Sequence, residues 1–156
     1  MKKLSFLLLF LLVFLFSGCN STTSGGPAPQ KRVVEVKKEH YTGGMLRSEF
    51  LMYDKSGMNG LRKQYGYEGR LTSHVEIRNG VKHGKETLYD EKGRIRLVKP
   101  YVNGRLDGIA TAYYENGSPM MTITYLRGVK HGPAMKYNQD GSLFEQKIFV
   151  HGKMTE

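Results

Sequence analysis

Five histidines, at positions 40, 74, 83, 131 and 151, and a single cysteine, Cys19, are the side chains best suited to ligation or nucleophilic attack. Two of the histidines recur in one string: "NGVKHG" runs from Asn79 to Gly84 and "RGVKHG" from Arg127 to Gly132. A Lys-His-Gly step met twice raises the prospect of half a metal or phosphate site. The surrounding chemistry is thin. No serine or cysteine lies in an activating motif of the kind nucleophilic catalysis needs. The Gly-x-x-x-Gly strings lack the lysine and Ser/Thr that follow the second glycine of a P-loop, and no helix is predicted to receive a phosphate. Glu86, Asp90 and Glu91 crowd one turn without forming an acid–base pair. The sequence therefore predicts neither an enzyme nor a cofactor.

The elements that would position these residues follow from a repeat, the first pattern to seek in such a chain. Written in rows of 24, the sequence falls into register. Gly80, Gly104, Gly128 and Gly152 form one column, and Gly60, Gly84, Gly108 and Gly132 a second. Tyr41, Tyr65, Tyr89, Tyr113 and Tyr137 form a third, and Gly69, Gly93, Gly117 and Gly141 a fourth. Tyr53, Ile77, Tyr101, Tyr125 and Phe149 complete the set. The second "VKHG" is thus the first one, two whole periods on. Each unit reads as two strands joined by a turn such as "YDEKGR", "YYENGS" or "YNQDGS", where glycine accepts positive φ without steric cost. No window holds an apolar period of 3.6 residues. The expected fold is all-β: an elongated, single-layer antiparallel meander of about ten short strands, built from 24-residue hairpins.

This arrangement bears on the histidines. His83 and His131 stand four strand spacings apart, about 19 Å in a flat sheet, whereas zinc ligands converge within about 2 Å of one ion. A shared metal is not expected, and Asp107 between them would at most help hold a transient cation. Lys82, His83, Lys130 and His131 are expected on the solvent side of inter-hairpin turns, as a basic edge.

An even period keeps successive units the same way up. If Tyr89 pairs with Ile95 through a bulge at Gly93, all odd-numbered strand positions share one face. Tyr65, Tyr89, Tyr101, Tyr113, Tyr125, Tyr137 and Phe149 then form one aromatic stripe opposite a mostly polar face that includes Glu86, Thr122 and Thr124. A single sheet with one apolar face must curl over it, dimerise or present it to a partner. Tyrosine suits partial exposure, since its ring packs while its hydroxyl stays wet. The stripe is the candidate interaction face.

The termini add a localisation. Lys2 and Lys3 precede an apolar run from Leu4 to Phe16 and the small residues Ser17 and Gly18, which reads as an export signal too short to span a bilayer comfortably. A lone cysteine cannot form an intramolecular disulfide. "LFSGC" resembles the lipobox of bacterial lipoproteins, with Phe16 where a leucine is usual. That resemblance implies cleavage between Gly18 and Cys19 and a lipid on Cys19, which anchors without a spanning helix. Asn20, not being aspartate, implies the outer membrane if the envelope is Gram-negative. "STTSGGPAPQ" is too polar and too rich in Gly and Pro to order itself and reads as a tether. The expected organisation is a signal peptide over 1–18, a lipidated tether over 19–30, a degenerate cap repeat over 31–55 and the repeat array over 56–156.

Without Lys2 and Lys3 the chain holds 22 basic against 14 acidic residues, a net +8. Such a surface favours an acidic protein or an anionic envelope surface; export excludes nucleic acid. The basic "KRVVEVKKEH" segment reads first as a solvated edge strand guarded by lysines. The oligomeric state is not read from the sequence.

"YGYEGRL", "YDEKGRI", "YYENGSP" and "YNQDGSL", with "GVKHG", "GRLDG" and "GVKHG" between them, resemble the bacterial variant of the MORN repeat from Tyr41 to Lys153. The resemblance implies a scaffold or membrane-associated interaction module, and as an alternative an antitoxin or immunity protein that neutralises a secreted toxin. The leading expectation is a membrane-anchored, non-catalytic binding lipoprotein.

Overall fold

The computed structural model describes residues 31–155. The expected signal peptide, Gly18, Cys19 and the tether lie outside the described residues. The rest is one open antiparallel sheet of twelve strands. In chain order they are β1 (Glu35–His40), β2 (Leu46–Met52), β3 (Gly60–Tyr65), β4 (Leu71–Arg78), β5 (Val81–Tyr89) and β6 (Ile95–Val102). They continue as β7 (Arg105–Leu106), β8 (Gly108–Tyr113), β9 (Pro119–Leu126), β10 (Val129–Tyr137), β11 (Leu143–Val150) and β12 (Lys153–Thr155). Spatial order follows chain order, except that the two-residue β7 pairs only with β6, which continues onto β8. The count exceeds the expected ten by the two short strands β7 and β12. The lysine-bearing β1 is an edge strand, exposed at every residue, as edge protection requires.

Two kinds of turn build the repeat. Within a hairpin, Asp90 N–H donates to Arg94 O (2.9 Å) and Gly93 N–H to Asp90 O (3.0 Å). Gly93 sits at φ 77°, in the left-handed region that a side chain resists. The same pair of bonds recurs at Tyr114 to Ser118 and at Asn138 to Ser142. Between hairpins, Asn79 and Gly80 both have positive φ, 51° and 79°, the backbone of a type I′ turn that matches the strand twist. Asn103–Gly104, Arg127–Gly128 and His151–Gly152 repeat it, so the chain forces arginine and histidine into a conformation that asparagine adopts more easily.

Each inter-hairpin turn is tied to the one before it. Gly80 N–H donates to Met58 O, Gly104 to Lys82 O, Gly128 to Leu106 O and Gly152 to Lys130 O, at 2.7 to 2.9 Å. The glycine column therefore marks a hydrogen-bonded seam as well as a positive φ.

The expectation about faces needs correction. Tyr89 does pair with Ile95, but the register then shifts, so that Leu88 faces Leu97, Thr87 faces Val98 and Glu86 faces Lys99. The extra residue sits in the second strand immediately after the closing pair. Even positions of each first strand consequently share a face with odd positions of the second. The same shift lies beside the tyrosine in β3–β4, β8–β9 and β10–β11. Directly opposed residues point to the same side, and one unbroken row proves the pattern: Ser48, Gln64, Ser73, Leu88, Leu97, Ala112, Met121, Lys136, Glu145. This side carries Met52, Gly60, Ser73, Val75, Ile77, Glu86 and Ala110, seven of the eight buried residues, and we term it the inner face. Only Thr87 is buried on the outer face. No second layer covers either face among the described residues. The core is a thin apolar seam near Met52, Val75 and Ile77, and burial fades toward β11, where Phe144 is 61% exposed.

Candidate binding surface

The register splits the expected aromatic stripe. Tyr101, Tyr125 and Phe149, on second strands, lie on the inner face, each opposed to an inner-face glycine at Gly84, Gly108 or Gly132. Tyr65, Tyr89, Tyr113 and Tyr137, which close the hairpins on first strands, lie on the outer face, one residue beyond the inner-face Gln64, Leu88, Ala112 and Lys136. The seven do not form one surface.

Three of the four outer-face tyrosines are tied into structure by their hydroxyls. Tyr65 donates its hydroxyl to Glu49 at 2.7 Å. Burial first, and then that carboxylate, push its phenol up to about 12. Tyr89 Oη meets His74 Nδ1 at 3.1 Å, and Tyr137 reaches the sulfur of Met135. Tyrosines also link successive repeats, because Tyr41 donates to Tyr65 O at 2.9 Å and Tyr114 to Tyr137 O at 2.8 Å. These hydroxyls hold neighbouring hairpins together.

On the inner face, aromatic rings carry ammonium groups. Lys82 Nζ stands 5.1 Å and Lys99 Nζ 5.9 Å from the Tyr101 ring centre. Lys130 stands 5.1 Å from that of Phe149, and Lys136 4.9 Å from that of Phe144, the extra residue at the β10–β11 bulge. A ring face attracts a cation by its quadrupole, and each lysine stem covers apolar surface beneath it. Between Lys82 and Lys99 lies Glu86, only 6% exposed. Lys82 bonds its Oε1, and Lys99 Nζ stands 2.7 Å from Oε2. Burial pushes this carboxyl up, but the two ammonium groups outweigh burial and hold it below the usual carboxylate range. Lys99 is held up in turn, the Glu86 carboxylate outweighing the burial that would lower it. Sequence reading missed this cluster because it placed Glu86 on the face opposite Tyr101. Once first strands are read at even positions and second strands at odd ones, the residues Lys82, Glu86, Lys99 and Tyr101 align.

The expected basic edge also divides. Lys82 and Lys130 turn onto the inner face over their aromatic partners, so they are not turn decorations in solvent. His83 opposes Glu76 on the outer face. His131 stands near the next turn, with its Nδ1 3.5 Å from the His151 backbone N–H and the two rings 5.2 Å apart. Asp107 takes the same place for Arg127 N–H at 3.4 Å, and Asn59 for Asn79 N–H at 2.9 Å. This column supplies acceptors to the type I′ turns. His83 Nδ1 is the exception, buried with no hydrogen-bond partner among the described residues. Among the described residues, no group of three or more His, Cys, Asp or Glu side chains is placed to hold a metal ion, and no helix is long and apolar enough to cross a membrane.

Residues 106–126 match the family described as "MORN repeat variant". That stretch lies within a single period of the 24-residue pattern, running from the β7 strand through Tyr113 and Gly117 to Tyr125 and Leu126. The chain thus has MORN-repeat content in a repeat protein. Neither a curated protein nor a solved structure matches it.

Proposed function

We propose that this chain is a lipid-anchored, non-catalytic binding module of the cell envelope. Cys19 would carry the anchor, residues 19–30 would form the tether, and the inner face would engage an acidic protein or an anionic envelope surface. In a Gram-negative cell the outer membrane is the proposed location. The observation that carries the binding role is the row of inner-face ammonium groups fixed over aromatic rings, Lys82 on Tyr101 and Lys130 on Phe149. A half-buried aromatic and cationic face on a rigid repeat scaffold provides contact area at small entropic cost. MORN-repeat content supports a module of this kind without assigning its partner, since function lies in the site and not in the fold.

Two measurements test the proposal. Metabolic labelling with a fatty acid should mark the wild-type chain and leave Cys19→Ala unlabelled; an unlabelled wild type would remove the anchor. Crosslinking of the Cys19→Ala form to envelope fractions, with the partner identified by mass, should capture an acidic partner. Loss of that capture should follow replacement of Lys82 and Lys130 by glutamate. If the captured partner is a toxin whose action the chain blocks, the module is an immunity protein. Capture that ignores both lysines would sink the inner-face reading.

A further inference from the structure

The Lys82–Glu86–Lys99–Tyr101 cluster has a counterpart two periods later that lacks its carboxylate. Adding 48 to each position gives Lys130, Ala134, Lys147 and Phe149. All four lie on the inner face, with Ala134 opposite Ile123 on one side and Lys147 on the other. The Lys130 ammonium keeps the same 5.1 Å distance from its ring that Lys82 keeps from Tyr101. Where Glu86 sends a carboxylate between two lysines, Ala134 sends a methyl group. The intervening unit has Leu106, Ala110, Ile123 and Tyr125 at these positions, so it has neither the charge nor the need for it.

The place left open is part of a groove of about 230 Å³, with Met121, Ile123 and Ala134 as its floor and Lys130, Lys136 and Lys147 at its rim. Glu145 is the one carboxylate at the groove, and it is committed to Lys147 at 2.9 Å. Lys130 has no carboxylate partner among the described residues, whereas Lys136 lies across the ladder from the same Glu145. Three cations sharing one exposed carboxylate above an apolar floor complement a ligand that is acidic and apolar at once.

We infer that this groove binds a carboxylate side chain of an extended acidic segment of a partner protein, seated over Ala134 between Lys130 and Lys147 as Glu86 is seated between Lys82 and Lys99. Apolar side chains two residues along from that carboxylate, on the same side of the extended segment, cover Met121 and Ile123. Glu86 shows within this chain the geometry the visiting carboxylate adopts. Lys147 exchanges the exposed Glu145 for the incoming group, and Lys130 gains its first counter-ion. A lipid surface fits less well: a headgroup plane meets the raised lysines but leaves the apolar floor below them unfilled. The inference rests on the binding-module reading and assigns that module a site and a ligand class.

Fluorescence anisotropy of a labelled ten-residue peptide in which glutamate and leucine alternate at every second position, with serine between them, titrated with the full chain in nonionic detergent, tests it. Saturable binding is expected, weakened about tenfold by Lys130→Ala or Lys147→Ala and weakened by rising salt. The decisive variant is Ala134→Glu, which restores the internal carboxylate. It should lower peptide affinity at least about tenfold while leaving the melting temperature unchanged or higher. Equal affinity of Ala134→Glu and wild type overturns the inference, as does equal affinity for the peptide with glutamine in place of glutamate. Binding of phosphatidylglycerol vesicles that depends on Lys130 and Lys147, with no binding of the peptide, assigns the site to lipid phosphate and also overturns it. Envelope capture that survives Ala134→Glu removes this site but leaves the module. Wild-type chain that captures nothing removes the module itself.

Discussion

The backbone N–H of His151 faces Nδ1 of His131 at 3.5 Å, a contact made at earlier turns by Asp107 to Arg127 and by Asn59 to Asn79. Three residue types therefore do one task, which is to accept from a turn whose backbone is left-handed. The imidazole does so only with a lone pair on Nδ1.

Replacing His131 by alanine should cost about 0.5–1 kcal/mol, the net worth of a weakly geometric, partly exposed hydrogen bond. His131→Asn should recover most of it, because asparagine is the acceptor already used at Asn59. Urea denaturation of the three proteins measures this. Equal losses for His131→Ala and His131→Asn would show that the ring packs and does not accept.

Glu86 gives a second and larger expectation. Removing its charge leaves Lys82 and Lys99 crowded on the inner face, and Glu86→Gln should destabilise by about 1–3 kcal/mol, discounted from a fully buried pair because both lysines reach solvent. Its folded carboxyl lies below the ordinary value of 4.5. The stabilisation is therefore fully present above about pH 4.5 and is lost as pH falls through the lower folded value. Denaturation of wild type and Glu86→Gln should differ at pH 7 and converge in acid. A difference that stays constant down to acid pH would contradict the charge argument.

The repeat, the all-β class and the meander order were legible because glycine and tyrosine columns at a fixed spacing report backbone requirements directly. The faces were not. Pairing Tyr89 with Ile95 was correct, yet the register shift one residue away reversed the parity of every first strand. Nothing in the residue types at Leu88 and Arg96 marks where a bulge falls, since its cost is set by hydrogen bonds across the ladder. The error propagated to the site: it grouped Tyr89 with Tyr101 and separated Glu86 from Lys99. The role of His131 was hidden for a different reason, because the N–H it serves belongs to a turn twenty residues later.

Two glycines separate conformational from steric demand. Gly93 has φ 77° and nothing within 4 Å of an added Cβ, so Gly93→Ala should cost only the left-handed penalty, about 1–2 kcal/mol, and Gly93→Asn less. Gly60 is not in that region, but a Cβ there would run into Leu51 O and the Phe50 ring. Because backbone cannot yield cheaply, Gly60→Ala should be the more damaging change, at the overpacking scale of about 1–3 kcal/mol or above. Thermal melts of the two variants rank them; the reverse order would mean that β2 and β3 move apart freely.

The division of the aromatic residues between faces yields the sharpest functional test. Tyr101, Tyr125 and Phe149 share the lysine-bearing inner face, whereas Tyr89 spends its hydroxyl on His74 on the outer face. If partner binding uses the inner face, Tyr101→Ala with Phe149→Ala should weaken capture at least about tenfold, because truncating buried aromatic anchors removes much of an interface's energy. Tyr89→Phe should leave capture unchanged and lower stability by about 0.5–1.5 kcal/mol, the worth of one hydrogen bond. Measuring capture and melting on the same preparations separates the two effects. Weaker capture by Tyr89→Phe with unaltered capture by the inner-face pair would move the binding surface to the other side of the sheet.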